Sequence, residues 1–154
     1  MERTLVLIKP DGIQRGLVGE VTRRLEAKGL KLVGMKMMQL KEALILEHYS
    51  HIADKPFFAG VKNFMQSTPV IVQCWEGVEA VEAVRIITGI TKARSAEAGS
   101  IRGDLAMSVQ SNVIHASDSF EAAQNEIARF FTKDELFNYD KSEYLHVYSD
   151  DERA

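Results

Sequence analysis

Asn112-Val113-Ile114-His115-Ala116-Ser117-Asp118-Ser119 is the stretch on which the fold turns. Its apolar start reads as a short strand, and Ser117, Asp118 and Ser119 are all residue types that cap a helix N-terminus. Phe120 opens an amphipathic pattern, so a helix is expected from Ser119 to Phe131, with Ile127, Phe130 and Phe131 turned to the core. Asp118 and Glu121 have the spacing of a capping box. The unit is a strand that hands over to a capped helix, with His115 at the helix mouth. Unpaired N–H groups and the positive end of the helix dipole favour a bound anion there. A histidine nucleophile working on phosphate is the sharp reading. A core or surface histidine making one hydrogen bond is the plain one.

Immediately upstream, Gly89 to Ser111 shows no clear periodicity, and so long a loop in a compact domain is usually functional or disordered. It is not low-complexity, and it carries Thr91, Lys92, Arg94 and Arg102. Before it, Val78 to Ile87 reads as a helix with Arg85 at the border of its apolar stripe, and Pro69 to Trp75 as a strand ended by Glu76-Gly77. Lys41 to His51 and the Phe57 to Met65 region have helical spacing around Asp54-Lys55-Pro56, which makes a helical hairpin rich in aromatics. Leu30 to Leu40 alternates as a strand with one face more polar, half-exposed or facing a partner. A helix from Gly19 to Lys28 stops at Gly29.

At the amino end, Leu5-Val6-Leu7-Ile8 is a continuous apolar run, the pattern of a strand buried on both faces, and Lys9-Pro10-Asp11-Gly12 ends it. Downstream of the last helix, Lys133 to Ala154 contains Tyr139, Tyr144, Leu145, Val147 and Tyr148. That is too apolar to hang free, so the tail is expected on the body or on a neighbouring subunit.

This order of elements predicts an α+β sandwich of the ferredoxin-like βαββαβ arrangement, with a four-stranded antiparallel sheet and its helices on one face. At 154 residues the chain is read as one domain, 1–154. A hydrophobic content of 45%, a charged content of 27% and a net charge of −3 suit an ordinary globular protein and argue against a general nucleic-acid surface. Cys74 is the only cysteine, so an intrachain disulfide or a cysteine-based zinc site is ruled out and a reducing compartment fits. The amino terminus lacks a signal-peptide core, and no window approaches the roughly 20 apolar residues of a membrane helix. The expected location is cytoplasmic, with no membrane partner.

Taken together, Asn112-x-x-His115-Ala116-Ser117-Asp118, Lys9-Pro10-Asp11-Gly12, Glu47-His48-Tyr49, Pro56-Phe57-Phe58, Trp75-Glu76-Gly77 and Ile101-Arg102-Gly103-Asp104 resemble the nucleoside diphosphate kinase family from Arg3 to about Tyr139. The resemblance implies that His115 takes the γ-phosphoryl group of a nucleoside triphosphate, typically ATP, and passes it to a nucleoside diphosphate in a ping-pong cycle. Glu126, about three helical turns into the last helix, would orient the ring with Ser117 if that helix passes beneath it. Tyr49 would hydrogen-bond the moving group. Lys9, Arg85, Thr91 and Arg102 would hold phosphates, Asn112 and Lys9 the ribose, and Phe57 and Val109 the base. Magnesium is implied as Mg2+ on the nucleotide, with Asp118 reached through water, and no protein metal site is expected from His48, His51 and His146. A homo-oligomer is implied, a hexamer before a tetramer.

Three positions depart from the family pattern. Ala116 stands where most members have glycine, His51 where an acid tethers the hairpin, and Ala93 where a proline braces the long loop. Two other readings stand beside it: an RNA-binding or regulatory module on the ferredoxin-like fold, which predicts exposed aromatics on the sheet and a basic surface, and a protein-histidine phosphotransfer element, which would use the same His115 but needs a partner protein.

Overall fold

Leu5, Val6, Leu7 and Ile8 lie in β1 (Glu2–Ile8), and all four are fully buried. Successive strand side chains point to opposite faces, so this burial requires cover on both sides of the sheet. The computed structural model, which describes residues 1–153, supplies it. The chain continues through α1 (Pro10–Gln14), α2 (Val18–Ala27), β2 (Lys31–Met38), α3 (Glu42–His48), α4 (Phe58–Gln66), β3 (Val70–Gly77) and α5 (Ala80–Thr88). It then runs through α6 (Ile101–Leu105), β4 (Ile114–Ala116), α7 (Phe120–Phe130) and α8 (Tyr144–Val147).

The sheet order is β2-β3-β1-β4, and every neighbouring pair is antiparallel. With α2 and α5 as the crossovers this is the ferredoxin-like α+β sandwich. One core gathers Val6, Ile8, Trp75 and the inward residues of α2 and α5. The other gathers Leu5, Leu7, Ile45, Met65, Ile127 and Phe130 beneath α3, α4 and α7. The helices therefore cover both faces, a correction to the expectation of one. The hairpin inserted between β2 and β3, together with α7, covers the face that β1 would otherwise expose.

Three boundaries also differ from the sequence reading. Pro10 ends β1 by opening α1, at the first helical position where its missing N–H costs nothing. Ser119, not Asp118, caps α7 by accepting from Ala122 N at 3.1 Å, so the Asp118–Glu121 pair is not the cap. Within the long loop, α6 forms because Ser100 Oγ accepts from Gly103 N at 3.0 Å. In β2 the alternation breaks at a bulge between Leu32 and Gly34. There a Cβ on Gly34 would lie 2.8 Å from Leu136 Cδ2, so glycine lets the segment after α7 cross close by. Beyond it, Tyr139 Oη donates to Leu32 O at 2.7 Å, Lys141 Nζ to Leu30 O at 2.9 Å and Tyr144 Oη to Glu76 O at 3.1 Å.

Candidate active site

The edge strand β4 pairs only with β1, and its register sets His115 opposite Leu7. Opposed residues of an antiparallel pair share a face, so the imidazole lies on the side that α3 and α7 cover. Helix α7 buries Ala123, Glu126, Ile127 and Phe130, the spacing of a single helical face. Glu126 thus turns inward with apolar neighbours. Its Oε2 lies 2.9 Å from His115 Nε2 and 2.7 Å from Ser117 Oγ.

A carboxylate only accepts, so His115 Nε2 carries the hydrogen and donates it, and in the neutral ring Nδ1 keeps its lone pair. Burial alone would raise the Glu126 carboxyl, but the hydrogen bonds from His115 and Ser117 outweigh it and hold the group below its usual range. Ser117 is itself fixed, since its Oγ accepts from Leu5 N at 3.3 Å and its N–H donates to Leu5 O at 3.1 Å.

His48, at the end of α3, packs edge to face on His115 with ring centroids 5.0 Å apart. Arg129 Nη1 donates to its Nδ1 at 3.0 Å, and burial, reinforced by His115, pushes the His48 ring down to about 3. One atom each of His48, His115 and Glu126 lies within 4.8 Å of the others, the reach of a metal site. Arg129 opposes that use: it occupies the His48 Nδ1 lone pair, which leaves the hydrogen on Nε2, and it adds a fixed positive charge. The sequence places His48 beside Tyr49 and among the histidines not expected to bind metal, and does not set it against His115. Its spacing from Ile45, buried on the same inner side of α3, was the available clue.

Lys9, just past β1, donates from Nζ to Asn112 Oδ1 at 2.7 Å and to Gln110 O at 3.4 Å. Asn112 is fully buried, and its amide donates to Thr91 O at 3.0 Å and Val109 O at 2.8 Å. Asn112 therefore ties Lys9 to two loop positions and keeps only an Oδ1 lone pair for anything else. Burial first, then the charge of Arg102, pushes Lys9 down to about 8 against the opposing pull of Asp11.

Arg102 is buried and donates from Nη2 to Ile114 O at 2.6 Å, from Nη1 to Gly89 O at 2.9 Å and from Nε to Asn112 O at 3.4 Å. Guanidinium has five N–H donors, so two remain. Burial lowers its pKa to about 10, still well above neutral pH. Arg85 is exposed on α5 and donates to Asp118 O at 2.7 Å.

A cavity of about 980 Å³ brings together Arg85, Thr91, Arg102, His115 and Asp118. Lys9, Tyr49, Phe57, Val109 and Asn112 lie outside its lining, and Asn112 joins it through Thr91. Tyr49 is half-buried beside His48, and burial, then Glu126, pushes its phenol up to about 12, so it remains a donor. Phe57 and Val109 are 56% and 48% exposed, on segments bridged by Gln110 Nε2 donating to Gly60 O at 3.4 Å. His51 is exposed, with its ring centroid 6.4 Å from that of Tyr49. The loop around buried Ala93 is braced without proline: Arg24 Nη1 donates to Gly99 O at 3.3 Å and to Asp104 Oδ2 at 2.7 Å.

The chain as a whole is similar to known proteins. The family described as nucleoside diphosphate kinase matches residues 2–136. A nucleoside diphosphate kinase of Parabacteroides distasonis is 52% identical over 152 residues, covering 99% of each chain. Nucleoside diphosphate kinase A of Homo sapiens is 49% identical over 138 residues, covering 90% of this chain and 91% of that one. The solved structure of a halophilic nucleoside diphosphate kinase from Halobacterium salinarum in complex with CDP superposes with a TM-score of 0.94 at 47% identity, covering 96% of this chain and 99% of that one. With the family model matching residues 2–136 and with sequence and fold in agreement, the chain belongs to the nucleoside diphosphate kinase family.

Proposed function

We propose that the chain, a phosphotransferase by family, moves the γ-phosphoryl group of a nucleoside triphosphate, typically ATP, to a nucleoside diphosphate by way of His115. The observation that carries this reading is the His115 Nε2–Glu126 hydrogen bond at 2.9 Å, which leaves Nδ1 as the nucleophile. The Nδ1 lone pair forms a bond to phosphorus while the bond to the β-phosphate oxygen breaks and the diphosphate leaves. A second diphosphate then attacks through a terminal phosphate oxygen, the P–N bond breaks, and neutral imidazole returns. Nε2–H stays on Glu126 throughout, so the ring needs no proton exchange with solvent.

Lys9, Arg85, Thr91 and Arg102 are assigned to the phosphate oxygens, where fixed positive charge matches the charge that spreads in the transition state. Tyr49 is assigned to the moving group as a phenol donor. Asn112 is assigned to holding Lys9, with its remaining lone pair for a ribose hydroxyl. Phe57 and Val109 are assigned to the base, and apolar contact without base-edge readout predicts that purines and pyrimidines are both accepted. The relative's complex with CDP supports the pyrimidine half of that statement.

Mg2+ is read as the companion of the nucleotide, which supplies charge neutralisation between its phosphates when bound. The exposed Asp118 carboxylate on the cavity wall fits that role through water, and Arg85 and Arg102 on the same wall fit a site that takes the metal together with its nucleotide's phosphates. Residues 1–154 are read as one domain. The exposed Met35 and Met37 on edge strand β2, with Leu145 on the tail, support a homo-oligomer, read as a hexamer before a tetramer. No described helix is long and apolar enough to cross a membrane. A cytoplasmic location is part of the same reading.

The test is incubation with ATP and magnesium without acceptor. The protein is expected to gain one acid-labile phosphoryl group and to release it to an added diphosphate. His115→Ala is expected to lose both adduct and turnover. Transfer that requires a partner protein, or an adduct that survives in His115→Ala, would overturn the reading.

A further inference from the structure

Val113, two residues before His115, has φ +72°, the left-handed region that a β-branched side chain strongly disfavours. Ile114 N donates to Asn112 O at 2.8 Å, so Val113 is the centre of a three-residue turn of the rare, strained hand. Both backbone polar groups of this buried residue are held by the segment that follows β1. Lys9 N donates to Val113 O at 2.8 Å, and Asp11 Oδ2 accepts from Val113 N at 2.9 Å. Asp11 Oδ1 is buried with no hydrogen-bond partner among the described residues, so the side chain sits there at a cost. A Cβ on Gly12 would meet Val113 O at 3.0 Å and Ile8 Cγ2 at 2.8 Å, so glycine is what lets the two segments close.

The turn joins the two halves of the site. Asn112 on one side of it takes Lys9 Nζ, and Ile114 O on the other takes Arg102 Nη2. His115 follows at once, in register with Leu7. A relaxed Val113, with φ returned to the negative region, would redirect the chain on both sides.

We propose that Asp11 is a positioning residue whose carboxylate holds the strained Val113 turn and so sets His115 against Lys9, Asn112 and Arg102. This rests on His115 being the phosphoryl carrier. Among the described residues the Asp11 side chain makes no hydrogen bond to His115; it acts through the backbone N–H of Val113. The strain is released when that acceptor is removed, and the reacting nitrogen then moves by enough to matter for in-line transfer.

The test compares Asp11→Ala, Asp11→Asn and Asp11→Ala/Val113→Gly in the full chain. It uses the single-turnover rate of adduct formation from ATP and magnesium, and kcat and KM for the complete reaction. Asp11→Ala is expected to slow adduct formation by about 100-fold, mostly in kcat, since displacements of about 1 Å carry penalties of that order. Adding Val113→Gly is expected to recover most of the loss, because glycine adopts positive φ freely. Asp11→Asn keeps an acceptor for Val113 N and is expected to stay within about tenfold of the parent, and it preserves the test if the alanine variant does not fold.

No recovery with Val113→Gly, or an equal loss in Asp11→Asn, would overturn the proposal. The second result would assign the effect to the Asp11 charge acting on Lys9 and Arg102. If the parent protein forms no adduct on His115, the underlying reading fails instead. That outcome is recorded before any variant is compared.

Discussion

Glu126 holds His115 from beneath by one carboxylate oxygen, Oε2, which accepts the imidazole Nε2 hydrogen at 2.9 Å. The same oxygen takes the Ser117 hydroxyl at 2.7 Å. The residue that selects the tautomer is therefore itself pinned to the strand that carries the histidine. Glu126→Gln can still accept, but it can also rotate its amide N–H toward the ring and stabilise the wrong tautomer. A fall in kcat of about 100-fold with KM nearly unchanged is the expected result of steady-state assays. A change confined to KM would contradict it.

Lys9 gives the site a pH limit on its alkaline side. Its folded pKa is about 8, pushed down first by burial and then by Arg102. The ammonium is present below that value and is lost as pH rises through it. Nucleotide KM is expected to climb above about pH 8 in the parent protein, whereas Lys9→Arg, which stays charged, should flatten that limb. A KM profile with the same alkaline rise in both proteins would show that another group titrates.

His48 links stability to acid. Its folded pKa of about 3 lies below the ordinary value of 6.5, because burial disfavours the charged ring. Between those values the unfolded chain binds more protons than the folded one, so stability falls as pH drops from about 6.5 toward 3. The full effect is of the order of 5 kcal/mol. His48→Gln should give a shallower slope of unfolding free energy against pH, measured by urea denaturation between pH 7 and pH 4. Parallel slopes would remove His48 as the cause. Glu126 adds to the same trend at lower pH, since its depressed pKa contributes stability that is lost as its carboxylate is protonated.

Gly103 controls where Arg102 points. A Cβ there would fall inside contact with Glu97 O and 2.8 Å from the Ser100 Oγ that caps α6. Gly103→Ala is expected to cost about 2 kcal/mol of stability and to weaken nucleotide binding, as Arg102 loses its bonds to Gly89 O and Ile114 O. Calorimetric titration with a nucleoside diphosphate checks it. Unchanged affinity would mean that the loop absorbs the methyl group elsewhere.

Read alone, the sequence determined a good deal. Leu5 to Ile8 announced a central strand by being apolar at every position, and the spacing of α7 placed Ile127 and Phe130 inward. The separated motifs named His115 with its cations and located most elements. Such signals are local, because burial repeats with the period of the element that is buried.

Other features came only from elements crossing in space. The cover on the second face of the sheet comes from α3, α4 and α7 docking there, and a strand pattern states only that cover is needed. Ser119 takes the cap from Asp118 because its hydroxyl is the one that meets Ala122 N, at 3.1 Å. Glu126 meets His115 because α7 packs beneath β1 and β4, and Arg102 is spent largely on three carbonyls that no spacing brings together. Val113 shows the limit most sharply: nothing in its side chain asks for φ +72°. A β-branched residue takes that conformation only where long-range hydrogen bonds, here from Lys9 N and to Asp11 Oδ2, outweigh its local preference.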